Sequence, residues 1–190
     1  VLSDLVLNRN SHQILNKNRL ENEFRHMSSL ADQMNEKLVV AFMDLDEFNT
    51  INDIHGKVTA DLLLEQVPER VRTALKETDS IVRYGGDEFV LIIGGVANHA
   101  AATETINKVL SAISLPFIIN DVPMMITASV GYTLYPEDKG SLDTLIRHAD
   151  QCMYKAKLDG KSTVFAYDPG EEVQITERNQ QLREIATAIS

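Results

Sequence analysis

The stretch Leu38-Val39-Val40-Ala41-Phe42-Met43 is apolar without interruption and runs directly into Asp44-Leu45-Asp46. A run this short and partly β-branched fits a central strand covered on both faces, so the fold must supply packing material on either side of it. An acidic pair then stands at the end of a buried strand. A second one follows: Ser80 to Tyr84 and Phe89 to Gly94 read as strands, and Gly85-Gly86-Asp87-Glu88 between them is a tight glycine turn.

Around these strands the pattern alternates. Asn18 to Met34 carries Leu20, Phe24, Met27, Leu30 and Met34 at three- and four-residue steps, which predicts an amphipathic helix. A short helix from about Glu47 to His55 leads through Gly56 to a longer one, about Thr59 to Lys76, with Leu62, Leu63, Val67, Val71 and Leu75 on one side. Ala100 to Ser114 is predicted helical on Ile106, Val109, Leu110 and Ile113, followed by strands at about Pro116 to Asn120 and Met124 to Tyr132. Leu142 to Leu158 is helical, and Thr163 to Tyr167 is a closing strand. From the first strand onward the order is β-α-α-β-β-α-β-β-α-β, an α+β sandwich with helices packed on a mainly antiparallel sheet. One domain over 18–168 is expected, preceded by a tail or linker (1–17) and followed by a charged linker helix (169–190) with Leu182, Ile185, Ala186 and Ile189 on one face. A start at Val1 and helical-looking ends suggest a piece of a longer protein.

Charge narrows the partners. A net charge of −10 in 190 residues would repel a polyphosphate backbone, so a polynucleotide is not expected. A single nucleotide is different, because a divalent cation can bridge protein carboxylates and phosphates. Cys152 is the only cysteine, so no intrachain disulfide can form and a cytoplasmic setting is expected; a small packed residue is its expected role. No apolar run approaches the roughly 20 residues of a membrane helix. His55 and His148 lack a second ligand at metal spacing and read as surface residues.

Taken singly, Asp44/Asp46 and Asp87/Glu88 each read as turn chemistry. Together, on neighbouring strands, they would gather the hard oxygens that Mg²⁺ needs when it also keeps waters and substrate phosphates. The wider motif set is specific: Arg83-Tyr84-Gly85-Gly86-Asp87-Glu88-Phe89, Met43-Asp44-Leu45-Asp46-Glu47-Phe48 with Ile51-Asn52-Asp53, Thr127-Ala128-Ser129-Val130-Gly131, and Ala149-Asp150 through Tyr154-Lys155-Ala156-Lys157. In order and spacing, from roughly Asn16 to Tyr167, these resemble the GGDEF diguanylate cyclase family.

That resemblance implies a palm-like fold shared with class III adenylyl cyclases and some polymerases, and condensation of two GTP into cyclic di-GMP. It implies Asp44, Asp87 and the main-chain carbonyl of Leu45 as holders of two Mg²⁺ (or Mn²⁺) ions, with Glu88 assisting. Gly85 and Gly86 would let backbone approach the ribose and α-phosphate. Asn52 and Asp61 would read guanine; without the family, Asn52 is a helix-surface residue and Asp61 an acid near a helix start. Phe48 falls in the same nucleotide segment, while Lys157 and Lys161 would face the phosphates. A homodimer would present the two GTP molecules to each other.

Several positions depart from the family pattern. Asn49 stands for the usual lysine, Lys57 for histidine, Ala60 for glycine, where it would add a methyl group near the base, and Lys161 for arginine, which keeps the charge and loses the bidentate fork. Of the early D-x-L-T-G-L-x-N-R segment only Ile14, Asn16 and Lys17 remain before Leu20. Lys76-Glu77-Thr78-Asp79 matches the family's R-x-x-D product site without its arginine, so a degenerate inhibitory site at Lys76 and Asp79 stands beside a reading as ordinary surface charges. The tail after Asp168-Pro169 resembles the connector to an EAL phosphodiesterase domain. A non-catalytic GTP-binding regulatory module therefore stands as the alternative to a cyclase.

Overall fold

The computed structural model describes residues 2–171 and Gln181, with side chains from Lys17 onward. A five-stranded sheet carries helices on both faces, and its strands run in the order β2 (Ser80–Gly85), β3 (Glu88–Val96), β1 (Lys37–Leu45), β6 (Ala128–Tyr135), β7 (Val164–Ala166). All neighbours are antiparallel except β6 and β7, which are parallel. β1 lies in the middle, and each residue from Leu38 to Met43 is buried.

The two-residue period of a strand divides this sheet's core in two. Val39, Ala41, Met43 and Leu45 point to one face, where they meet Leu63 and Val67 of α3 (Lys57–Arg72) and Ile106, Val109 and Ile113 of α4 (His99–Ile113). Leu38, Val40 and Phe42 point to the other, against Leu20, Met27 and Ala31 of α1 (Leu2–Met34) and Leu145 and Ala149 of α5 (Leu142–Leu158). Side-chain caps start two of these helices: Asn98 accepts from the Ala101 N–H at 2.9 Å and Ser141 from the Thr144 N–H at 3.3 Å. The small helix α2 (Phe48–His55) leads into α3 through Gly56, whose φ of 83° suits glycine.

Four local expectations need correction. The expected strand Met124 to Tyr132 is two strands: β5 (Val122–Met124) folds back on β4 (Phe117–Ile119) as a separate hairpin, and β6 starts only at Ala128. Asn120 and Asp121 at φ 51° and 64° make that turn, and the Thr127 carbonyl leaves the hairpin to accept the Asp46 N–H at 2.8 Å. In α1 the buried face runs through Ala31, leaving Leu30 and Met34 exposed at 43% and 63%; the helix also begins well before Asn18. The long helix stops at Arg72, because the amides of Thr73, Ala74 and Leu75 turn to carbonyls three residues back and tighten its end. Last, His148 is buried rather than at the surface: Nδ1 lies 2.8 Å from Asp138 Oδ2, which also accepts the Thr133 hydroxyl at 2.7 Å, and the ring stacks on Tyr167.

Cys152 is buried, and His55 is exposed, as expected. Most of the expected linker helix over 169–190 lies outside the described residues, as do the side chains of Ile14 and Asn16. Among the described residues no helix is long and apolar enough to cross a membrane.

Gly131 brings α5 onto the sheet. A Cβ there would stand 2.0 Å from the Ala149 carbonyl oxygen and 2.1 Å from the Met153 nitrogen, both backbone atoms that cannot rotate away. Gly131→Ala should therefore destabilise the domain by about 3 kcal/mol or more, above the usual cost of overpacking. Denaturant melts check this, and a change below about 1 kcal/mol would show that α5 is not seated on β6 in this way.

Candidate active site

β1 and β3 run antiparallel in a register that sets Asp44 directly opposite Glu88. Asp87 precedes Glu88 in the turn and is tied to β1 through its carbonyl, which accepts the Leu45 N–H at 3.2 Å. Gly86 has a φ of 46°, a conformation that L side chains rarely adopt, and nothing lies within 4 Å of where its Cβ would be. Backbone conformation favours glycine here, and the space beside it is open. Arg83 Nε donates to the Gly86 carbonyl at 2.8 Å and braces the turn from β2.

Carboxylates crowd this end of the sheet. Burial raises the Asp44 pKa, Asp87 and Asp46 add to the rise, and the Lys157 ammonium opposes it. Glu88 is raised by burial and then by Asp44, Asp150 and Asp87; Asp150 is raised by burial. Lys157, from the last turn of α5, answers this charge directly. Its Nζ pairs with Asp44 Oδ1 and lies 3.3 Å from Asp46 Oδ1 and 3.4 Å from the Leu45 carbonyl. Burial alone would lower the Lys157 pKa, but these carboxylates outweigh it and hold the ammonium charged. The excess of acids over the Lys157 ammonium in this cluster leaves room, electrostatically, for further positive charge.

Asp46 behaves differently from Asp44. Its side chain is turned inward, where it accepts the Thr127 hydroxyl at 2.6 Å, the Ser129 hydroxyl at 2.7 Å and the Ser162 N–H at 3.1 Å. Burial pushes its pKa up, yet these donors and Lys157 prevail and the value falls below the ordinary carboxylate range. Beside it a cavity of about 400 Å³ is lined by Glu47, Thr50, Thr127, Lys161 and Ser162 among others. Lys161 is engaged there with Glu47, Nζ to Oε1 at 2.7 Å.

The remaining candidates stand outside this carboxylate cluster. Phe48 and Asn52 are half-buried on α2, with Phe48 against the core, while Asp61 is exposed on α3, which packs on α2. Ala60 is buried to 1% and belongs to the core side of α3. Its methyl is therefore not an addition to the open surface around Asp61. Lys76 and Asp79 lie at the opposite end of β2 from Asp87. There Asp79 accepts the Lys76 N–H at 2.9 Å and the Gly94 N–H at 3.0 Å, so both carboxylate oxygens hold a loop to β3. Among the described residues no three His, Cys, Asp or Glu side chains form a metal-binding group. Asp44, Asp87 and the Leu45 carbonyl would thus be a partial set, of the kind that Mg²⁺ completes with waters and phosphate oxygens. Asp150 stands in the quoted motif of α5, but its place beside Glu88 was not read from it; the inward turn of Asp46 escapes a motif reading, and the donors Thr127 and Ser129 two residues apart were the available signal for it.

Comparison with known proteins places this arrangement. The family model described as "Diguanylate cyclase, GGDEF domain" matches residues 12–163. The chain is 34% identical over 188 residues to the bifunctional diguanylate cyclase/cyclic di-GMP phosphodiesterase MucR of Pseudomonas aeruginosa, covering 99% of this chain and 27% of that protein. It is 32% identical over 154 residues to the cyclic di-GMP phosphodiesterase PdeR of Escherichia coli, covering 81% of this chain and 23% of PdeR. The chain thus spans about a quarter of the length of these curated relatives. A solved structure of the GGDEF domain of TpbB from Pseudomonas aeruginosa superposes with a TM-score of 0.75 at 26% identity, covering 83% of this chain and 92% of that one. With the motifs, the sheet and the family model in agreement, this chain belongs to the GGDEF diguanylate cyclase domain family.

Proposed function

We propose that this domain condenses two GTP molecules into cyclic di-GMP and two pyrophosphates. The observation that carries this reading is the β1–β3 register, which gathers Asp44, Asp87 and Glu88 at one open edge beside the Lys157 ammonium. Carboxylates whose burial and mutual repulsion disfavour their own ionisation are of the kind that functional sites gather.

Asp44, Asp87 and the Leu45 carbonyl would hold Mg²⁺ or Mn²⁺, and crowding among the carboxylates favours a divalent cation there. When bound, such ions polarise the α-phosphorus, lower the pKa of the attacking 3′-hydroxyl and stabilise the departing pyrophosphate. Lys157 would exchange part of its contact with Asp44 for a phosphate oxygen. Lys161 would leave Glu47 for the polyphosphate terminus, which makes this ion pair an internal competitor of substrate. The open face of Gly86 would admit ribose and α-phosphate. Asn52 and Asp61 would take the guanine edge, a carboxylate accepting from N1–H and the exocyclic amine where adenine offers an acceptor. In each of the two transfers a 3′-oxygen bonds to the α-phosphorus of the other GTP, pyrophosphate leaves and the hydroxyl proton passes to solvent. One domain holds one GTP, so a homodimer is the working unit.

A second reading has its own support. The Lys161–Glu47 pair, the substitutions at Asn49 and Lys57, and a relative described as a phosphodiesterase are what a GTP-binding regulatory module of a GGDEF-EAL protein would show. In either case the parent protein would act in the cytoplasm with an EAL domain beyond Asp168.

Incubation with GTP and Mg²⁺ followed by chromatography separates the two: cyclic di-GMP is expected, and Asp87→Ala should lower its rate on the order of a hundredfold or more, the scale of one electrostatic stabiliser. A variant that keeps full turnover would sink the role of Asp87, and a wild type that binds GTP without turnover would select the regulatory module. Base selection has a separate check. Asp61→Ala should cut the GTP-over-ATP preference by about 1.5–3 kcal/mol, the worth of a charged hydrogen bond; unchanged competition between the two nucleotides would remove Asp61 from base readout.

A further inference from the structure

Asp46 has its whole acceptor capacity in use. A carboxylate offers roughly four lone-pair sites, and each oxygen of Asp46 has two donors. Oδ1 receives the Ser129 hydroxyl at 2.7 Å and Lys157 Nζ at 3.3 Å; Oδ2 receives the Thr127 hydroxyl at 2.6 Å and the Ser162 N–H at 3.1 Å. These donors come from the start of β6 and the residue before it, from the last turn of α5 and from the loop that follows α5. The side chain is 4% exposed, and its own N–H is held by the Thr127 carbonyl at 2.8 Å. Nothing remains on this group for a metal ion or a nucleotide, although Asp44, two residues earlier, lies at the open edge.

The loop that Asp46 holds is strained. Lys161 and Ser162 are consecutive non-glycine residues at φ 67° and 49°, following Gly160 at φ 107°. Left-handed backbone of this kind costs energy and persists where its surroundings over-determine it. Two bonds do so here: the Lys161 N–H to the Ala156 carbonyl at 3.0 Å, which closes the end of α5, and the Ser162 N–H to Asp46. The conformation aims the Lys161 side chain toward Glu47 and the cavity beside it. The same carboxylate thus fixes both lysines, Lys157 through a direct contact and Lys161 through the backbone of the next residue.

We propose that Asp46 is a positioning residue, which sets Lys157 and the Gly160–Ser162 loop in place for the polyphosphate end of the substrate while touching neither substrate nor metal. What the two lysines then do rests on the cyclase reading; that Asp46 places them does not.

The test combines two readouts on the whole chain. Amide hydrogen exchange followed by mass spectrometry should quicken in the segment 156–163 of Asp46→Asn while the sheet strands β1 and β3 keep their protection. Equilibrium binding of a non-reactive GTP analogue should weaken about tenfold in Asp46→Asn, the loss expected for one charged hydrogen bond. Lys157→Met should cost about tenfold in the starting protein and less than about threefold in the Asp46→Asn background, since coupled residues are not additive. Should Asp46→Asn not fold, Ser129→Ala removes a single donor from Oδ1 and should give the same pattern at about threefold. Unchanged exchange in 156–163 overturns the proposal, and so do additive losses. Loss of Mn²⁺ uptake with unaltered exchange would make Asp46 a ligand instead. If the starting protein binds no analogue while exchange still quickens, the cyclase reading falls and the positioning role stands.

Discussion

The antiparallel pairing of β1 with β3 is the constraint on which the rest of this molecule depends. β1 is apolar enough to be buried on both faces, and burial on both faces admits one register, because a slip by one residue would send Val39, Ala41 and Met43 to the side now occupied by Val40 and Phe42. That register also sets the polar ends of the two strands beside each other, Asp44 against Glu88 with Asp87 in the turn. Charges that would be costly to gather on their own are held together by hydrophobic burial further down the same strands. The core and the acidic edge are two consequences of a single alignment.

Around that edge, ammonium groups and hydroxyls are arranged in graded fashion. Asp44 and Glu88 remain at the open side with raised pKa values, while Asp46 is sealed by Thr127, Ser129 and Ser162 and has a lowered one. The Asp-x-Asp pair therefore separates into one group paired with Lys157 beside Asp87 and Glu88 and one enclosed by hydroxyl and amide donors. Gly131 serves the same end from below, since its missing side chain lets α5 approach β6 closely enough for Lys157 to reach the carboxylates.

Much of this could be read in the residues. The uninterrupted run of β1, the glycine turn before Glu88 and the period of α4 and α5 are strong local signals that tertiary packing reinforces. Where the reading failed, the cause lies in contacts that local patterns do not carry. The break between β5 and β6 follows from the Thr127 carbonyl pairing with Asp46, a partner far away in sequence. Leu30 and Met34 fit the helical period of α1 as well as Ala31 does, and only the packing of α1 on the sheet shows that Ala31 is the buried one. His148 lies between Leu145 and Cys152 on the buried face of α5, so its period was legible, but its partner Asp138 sits in a loop and gave no sign. Lys76 and Asp79 show the reverse case: a motif-like spacing whose carboxylate is occupied by the backbone amides of Lys76 and Gly94.

Whether the acidic edge holds divalent cations is open to one direct measurement. Mn²⁺ can be titrated into the protein saturated with a non-reactive GTP analogue and followed by electron paramagnetic resonance. Immobilised Mn²⁺ is expected in excess of that held by the nucleotide alone, with the excess lost in Asp44→Asn. Equal Mn²⁺ uptake by the starting protein and Asp44→Asn would contradict the assignment of β1 and β3 as a metal-binding edge.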